Sequence, residues 1–229
     1  MSQRNPFEKV SVRSQFIVTA MLLALATISL FTIDYPLSQY ATSHKFPDEI
    51  YRALRTMEPF GSPYGMTFVL LTILVVTTDR LTEVVRLGLI AIAGGLSAGF
   101  MKVLISRARP DHFDFTHHQI LDSFQGFLPM MKGGGAVQSF PSAHTAMAVA
   151  FAVALANRFP RSRWLWYSFA AMVGMQRVAD AQHFASDVFA GAAFGWTIAQ
   201  FVLMLWQQSH YEDLSTEPAE RMSPSLQYN

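Results

Sequence analysis

His183 and Asp187 lie four residues apart in the stretch QRVADAQHFASDVFAG. On a helix that spacing sets both on one face, where the carboxylate can accept a proton from one ring nitrogen and leave the other free to attack. Arg177 precedes His183 by six positions. Upstream, SFPSAHTAMA opens an apolar run with Pro141, Ser142 and His144. A proline suits the first turn of a helix, and the free amides of that turn, with the Ser142 hydroxyl, attract an anion. Further upstream, KVLISRARP places Lys102 and Arg109 seven apart, two helical turns, before Pro110 stops the helix. Together these are a nucleophile with its orienting acid, a second histidine for proton transfer, and three cations. That set is suited to holding a phosphate and moving a phosphoryl group. Taken singly, each segment has an ordinary reading: a surface i,i+4 pair, a capped helix start, a snorkelling lysine beside a loop arginine.

What must position these groups is a membrane-embedded helical frame. The 229 residues are 51% hydrophobic and only 14% charged, with mean hydropathy +0.24, too apolar for an ordinary soluble domain. A bilayer span takes about 20 apolar residues, and about six runs qualify in outline: 15–33, 64–78, 84–106, 142–156, 164–178 and 186–206. The expected fold is all-α and polytopic, with a cytoplasmic N-terminus (1–14), a six-span domain (15–206) and a disordered cytoplasmic tail (207–229) rich in Glu, Ser and Pro. Outer loops cover 34–63 and 107–141. Within the first, 47–58 sets Phe46, Ile50, Leu54 and Met57 opposite Asp48, Glu49, Arg52 and Arg55, the pattern of a short interfacial helix. The N-terminal run has the basic flank of a signal sequence, but it continues to Ile33 and is read as an uncleaved first span. With six spans, the ends of runs three to six that carry the motifs fall on one membrane face, although 85 positions separate Lys102 from Asp187. Ionisable residues at bilayer depth are costly and mark function.

The order K-x6-RP, then PSxH, then R-x5-H-x3-D resembles the three-part signature of the type 2 phosphatidic acid phosphatase superfamily, which also includes vanadium haloperoxidases and bacterial acid phosphatases. The resemblance is detailed over Lys102 to Asp187. It implies an integral membrane lipid phosphatase that forms a phosphohistidine at His183. Asp187 would hold the ring, and His144 would protonate the leaving group and then activate water. Lys102, Arg109, Arg177, Ser142 and the backbone at Ala143 would bind the phosphate. No metal or other cofactor is implied, since three cations occupy the role of a divalent ion. Two positions depart from the family pattern: Ala143 stands where glycine is usual, and Gln176 where serine is usual before the arginine.

The resemblance also bears on orientation. With the N-terminus inside, nine Lys and Arg fall on the cytoplasmic side and eight outside. Assigning Lys102, Arg109 and Arg177 to phosphate leaves five outside, which satisfies the positive-inside bias. The active site then faces the periplasm or exterior of a bacterial inner membrane. Expected partners are the bilayer and a lipid phosphate: polyprenyl pyrophosphate, phosphatidic acid, phosphatidylglycerol phosphate or lipid A phosphate. Two other functions use the same residues: a non-catalytic binder or transporter of a phosphorylated lipid, and a vanadate-dependent oxidase. No basic stripe suggests nucleic acid, and zero cysteines exclude disulfides and thiolate metal sites. His112, His117 and His118 stand near Asp111 and Asp114 without the spacing of a compact ligand set.

Overall fold

The structure is a computed structural model that describes residues 12–44, 46–77, 80–128 and 133–216. Every one of the six apolar runs is a helix: α1 (Val12–Thr32), α4 (Pro63–Val76), α5 (Leu81–Leu104), α6 (Ala143–Arg158), α7 (Arg163–Ala179) and α8 (Ala185–Thr216). Two short helices, α2 (Asp34–Ser43) and α3 (Asp48–Arg55), fill the segment after α1. Three helices are long and apolar enough to cross a membrane: α1, α5 and the Ala185–Trp206 part of α8. The other three have 14, 16 and 17 residues. At about 1.5 Å per residue they reach roughly 21–26 Å, short of a hydrocarbon core of about 30 Å. The long helices turn bulky side chains outward, Phe16 and Phe31 on α1 and Leu96 and Phe100 on α5 among them. A surface of that kind is suited to lipid.

Helix α6 is the axis of the bundle. Its sequence AHTAMAVAFAVALA leaves little side-chain bulk, and Ala146, Ala148, Ala150, Phe151 and 152–155 are buried against α5, α7 and α8. Small residues let helices approach closely where no water drives them together. Two glycines of α8 take this furthest. A Cβ on Gly191 would lie 2.4 Å from the Ser142 carbonyl oxygen, and one on Gly195 would lie 2.1 Å from that of Ala146. Helix α1 packs on the outer side of α8, with Thr19 and Thr197 hydroxyls 2.9 Å apart.

Several expectations are corrected. The fold is not purely helical: α5 ends at Leu104, and Ile105–Arg107 (β1) pairs antiparallel with Phe124–Phe127 (β2) inside the expected outer loop. The β-branched and aromatic residues Ile105, Phe124 and Phe127 favour the extended form. Lys102 and Arg109 therefore do not share a helix face, because the helix stops two residues after Lys102. Pro141 does not enter the helix. Ser142 is the cap of α6, its Oγ accepting the Thr145 N–H at 3.4 Å, and Pro141 sits just outside. The amphipathic segment is helical only over Asp48–Arg55, with Leu54 and Met57 partly covered and Ile50 exposed. Helix α8 runs on to Thr216 rather than ending at Trp206. Its extension contains good helix formers and meets Pro218 only later. Residues 1–11 and 217–229, the remainder of both expected terminal segments, lie outside the described residues.

Candidate active site

His183 lies in the turn between α7 and α8. At the end of α7 the chain passes through Ala181 in the left-handed region (φ 51°), and the Gln182 and His183 amides both donate to the Arg177 carbonyl, at 3.1 and 3.2 Å. This fold-back packs the histidine directly beneath Ser139. The His183 Nδ1 donates to the Ser139 carbonyl at 2.7 Å, which fixes the tautomer and leaves Nε2 unprotonated. Asp187 is close but not the nearest acceptor: its Oδ2 stands 3.8 Å from Nδ1. That oxygen instead accepts from the Ser139 hydroxyl at 2.6 Å and the Phe184 N–H at 2.9 Å. Asp187 thus holds the ring chiefly by fixing Ser139 and the first turn of α8. Burial, reinforced by the charges of Lys102 and Arg109 and opposed by Asp187, pushes the His183 pKa down to about 4.

The three cations arrive from separate elements. Lys102, in the last turn of α5, is buried and donates from Nζ to the Gln138 carbonyl. Arg109 follows β1 and is fixed by its own amide donating to the Ala136 carbonyl at 2.8 Å and by Nη1 donating to Gln182 Oε1. Its Nε–H is buried without a partner among the described residues, a donor ready for an anion. Burial, with the neighbouring charge of Arg177, holds the Arg109 pKa below its ordinary value. Arg177, at the end of α7, donates Nε to Gln176 Oε1 at 2.6 Å, and its Nη2 meets Glu58 at 2.8 Å and Asp180 at 3.4 Å. Gln176 is wholly buried, and its amide nitrogen donates to Asp180. The residue that departs from the family pattern is therefore a clamp on Arg177.

At the start of α6, Ser142 is buried, its Oγ accepts from the Thr145 hydroxyl at 2.9 Å, and its amide donates to the Asp187 carbonyl at 3.0 Å. The Ser142 O–H remains available to donate. Ala143 is the first helical residue and is partly exposed, as is His144. His144 is within electrostatic reach of Arg177, Lys102 and Arg109. All eight residues singled out in the sequence therefore border one region, formed by the end of α5 with the strand after it, the start of α6, the end of α7 and the turn into α8. Beside Arg177 a cavity of about 680 Å³ opens, lined also by His44, Tyr51, Arg55, Glu58 and Asp180. The loop histidines form separate pairs: His112 with Asp111 and His117 with Asp114, each at 2.7 Å.

The sequence reading missed the buried residues behind the site. Arg107, at the start of the expected outer loop and one of the eight cations on that side, is wholly buried, donating to Asp187 Oδ1 at 2.5 Å and to Asp34 Oδ2 at 2.9 Å. Asp34 in turn accepts the Ser186 N–H at 2.9 Å. One signal was present: Asp34 directly follows an apolar run, and an ionisable group there needs a partner. Glu58, Asp180 and Gln182 gave no such signal, since Glu58 meets Arg177 across more than a hundred positions.

Three comparisons with known proteins bear on this site. The pattern described as the PAP2 superfamily matches residues 83–211. The lipid A 1-phosphatases of Rhizobium etli and Rhizobium johnstonii are each 45% identical over 101 residues, 44% of this chain and 40% and 38% of theirs. That of Porphyromonas gingivalis is 36% identical over 78 residues, 32% of this chain and 18% of its own. The matches thus span at most 40% of the length of these relatives. Among solved structures, the transmembrane PAP2 type phosphatidylglycerolphosphate phosphatase from Bacillus subtilis has a similar fold. Its TM-score is 0.50 at 20% identity, covering 86% of this chain and 96% of that one.

Proposed function

This chain belongs to the PAP2 superfamily, and from that premise we propose that it is an integral membrane lipid phosphatase working through a phosphohistidine, without a metal. The observation that carries the reading is His183: its Nδ1–H is committed to the Ser139 carbonyl at 2.7 Å, so Nε2 is the free nucleophile, and it lies within reach of the Lys102 and Arg109 charges. In the first step the Nε2 lone pair forms a bond to phosphorus while the P–O bond to the lipid breaks. The electron pair leaves with the alkoxide oxygen, which takes a proton from His144. In the second step water attacks phosphorus and gives its proton to His144. The P–N bond breaks, its pair returns to Nε2, and phosphate leaves. Lys102, Arg109, Arg177, the Ser142 hydroxyl and the first amides of α6 stabilise charge that builds on the phosphoryl oxygens.

The substrate is a lipid whose phosphate lies at headgroup depth while its tails remain in the bilayer. All three curated relatives above carry the name lipid A 1-phosphatase, which supports a lipid A phosphate ahead of phosphatidic acid, phosphatidylglycerol phosphate and polyprenyl pyrophosphate. In this reading the six helices of the apolar runs span a bacterial inner membrane, the shorter ones by local thinning, and the site faces outward. The test is phosphate release by purified protein in detergent from those four lipids, with and without chelator, beside His183→Ala. Release by the wild type that persists with chelator and is lost in the variant is expected. Equal release by His183→Ala would refute the nucleophile, loss on chelation would refute the metal-free step, and no release from any lipid would favour a binding protein.

A further inference from the structure

Behind the nucleophile lies a buried charge network that the two steps above leave unused. The Arg107 guanidinium donates Nη1 to Asp187 Oδ1 at 2.5 Å and to Ser186 Oγ at 2.7 Å, Nη2 to Asp34 Oδ2 at 2.9 Å, and Nε to Ser123 Oγ at 3.0 Å. The rings of Phe124 and Phe184 lie over it at 4.5 and 4.0 Å. Asp34, from α2, binds the start of α8 through the Ser186 amide at 2.9 Å and through the Ser186 hydroxyl. Arg107, Asp34 and Asp187 are each 0% exposed. Burying three charges costs several kcal/mol per ion, and an apolar set of similar volume is often no less stable. The network also has one carboxylate more than its single cation can neutralise.

We propose that Asp34 and Arg107 are positioning residues for the reaction. Arg107 fixes the carboxylate of Asp187, and Asp34 restores the negative charge that Arg107 would otherwise cancel. The proposal rests on the phosphohistidine reading. When Nε2 bonds to phosphorus, Nδ1 keeps its proton on the Ser139 carbonyl, so the ring becomes cationic. Lys102 and Arg109 face the ring as positive charges in every variant; burial raises the Asp34 pKa, and Arg107 and Ser186 oppose that rise. With Asp34 ionised in place, the ring cation has behind it a network of net charge −1. Without it, the Arg107–Asp187 pair is neutral and the phosphorylated ring is less stabilised. The same device ties the first outer segment to the helix that carries Asp187, through one guanidinium.

The experiment compares wild type, Asp34→Asn, Ser186→Ala and the double variant Asp34→Asn/Arg107→Met, as purified full chains in detergent micelles with lipid A as substrate. Rates are measured across pH, and phosphoenzyme is trapped by rapid quench. Asp34→Asn is expected to lower kcat by about 10–100-fold, the scale known for residues that orient a metal's ligands through hydrogen bonds, carried over to a buried partner of the residue that orients His183. KM should be unchanged, and the acid limb of kcat/KM should move to lower pH. In the double variant the network again carries one negative charge, and the limb should return toward wild type while kcat stays low. A purely structural role would instead lower the active fraction in every variant and leave the limb in place, and that result would overturn the proposal. Should Asp34→Asn not fold, Ser186→Ala removes only the hydroxyl shared by Arg107 and Asp34. It must lower kcat several-fold at constant KM, and an unchanged kcat overturns the proposal. Trapped phosphohistidine in a wild type matched by an unaltered Asp34→Asn sinks this inference alone. Turnover with no phosphohistidine at His183 sinks the parent reading.

Discussion

His183, the proposed nucleophile, shows how burial sets chemistry at a single residue. A histidine titrates near 6.5 in an unfolded chain, whereas burial holds His183 down to about 4 in the fold. Between those values the unfolded chain binds a proton that the folded one does not. Stability from this residue is therefore fully present above about pH 6.5 and is lost as pH falls through about 4, on the order of 3 kcal/mol in all. Thermal unfolding in detergent should show a midpoint that rises from pH 4 to 6.5, and His183→Gln should flatten that rise. An unchanged slope in the variant would assign the acid sensitivity to other groups. Gln176 shows the same dependence on buried partners. Its amide spans Arg177 and Asp180, a bridge that needs both an acceptor and a donor.

At the scale of elements, the site depends on how closely α8 approaches the start of α6. Asp187 receives the Ser142 amide on its carbonyl at 3.0 Å, and Gly191, one turn further along α8, is packed against the Ser142 carbonyl. Gly191→Ala would place a Cβ 2.4 Å from that oxygen, and the helices must separate to accept it. Gly99 on α5 is a built-in control, because nothing lies within 4 Å of a Cβ placed there. Alanine is preferred to glycine inside a helix by about 1 kcal/mol. Phosphate-release assays should find Gly191→Ala reduced at least tenfold, a cost of about 1.4 kcal/mol or more, with Gly99→Ala near wild type and no less stable. Comparable activity in both variants would show that the site does not depend on the close approach of α8 to α6. The β1 and β2 ribbon acts at the same scale: by ending α5 early it turns Arg107 inward to Asp187 and leaves Arg109 beside Gln182.

For the whole molecule, the orientation in the membrane decides which lipids reach the site. The chain has no cysteine, so single cysteines report topology without background. Asp114 is exposed in the segment that joins the ribbon strands, and Arg161 is exposed in the turn between α6 and α7. In intact cells a membrane-impermeant maleimide should label Asp114→Cys and spare Arg161→Cys, and permeabilisation should make both react. The reverse pattern would put the site on the cytoplasmic face.

Much of this protein was legible in the sequence because lipid constrains a chain so strongly. Backbone groups in a bilayer must satisfy one another within helices, so each long apolar run is a helix, and Lys102, Ser142, His144, Arg177 and Asp187 stand at the termini of those helices, with Arg109 and His183 in the connections between them. Order and spacing alone gave their family resemblance. Spacing could not tell that α5 stops at Leu104 or that Pro141 lies outside α6, since helix ends depend on what the next residues pair with. Nor could it find Asp34, Arg107 or Glu58. A charged residue in a loop looks alike in sequence whether it meets water or a buried partner, and Asp34 meets Ser186 across 152 positions. Residue types and spacing determined the chemistry available, and only tertiary packing decided which charges are buried together and therefore what His183 sees.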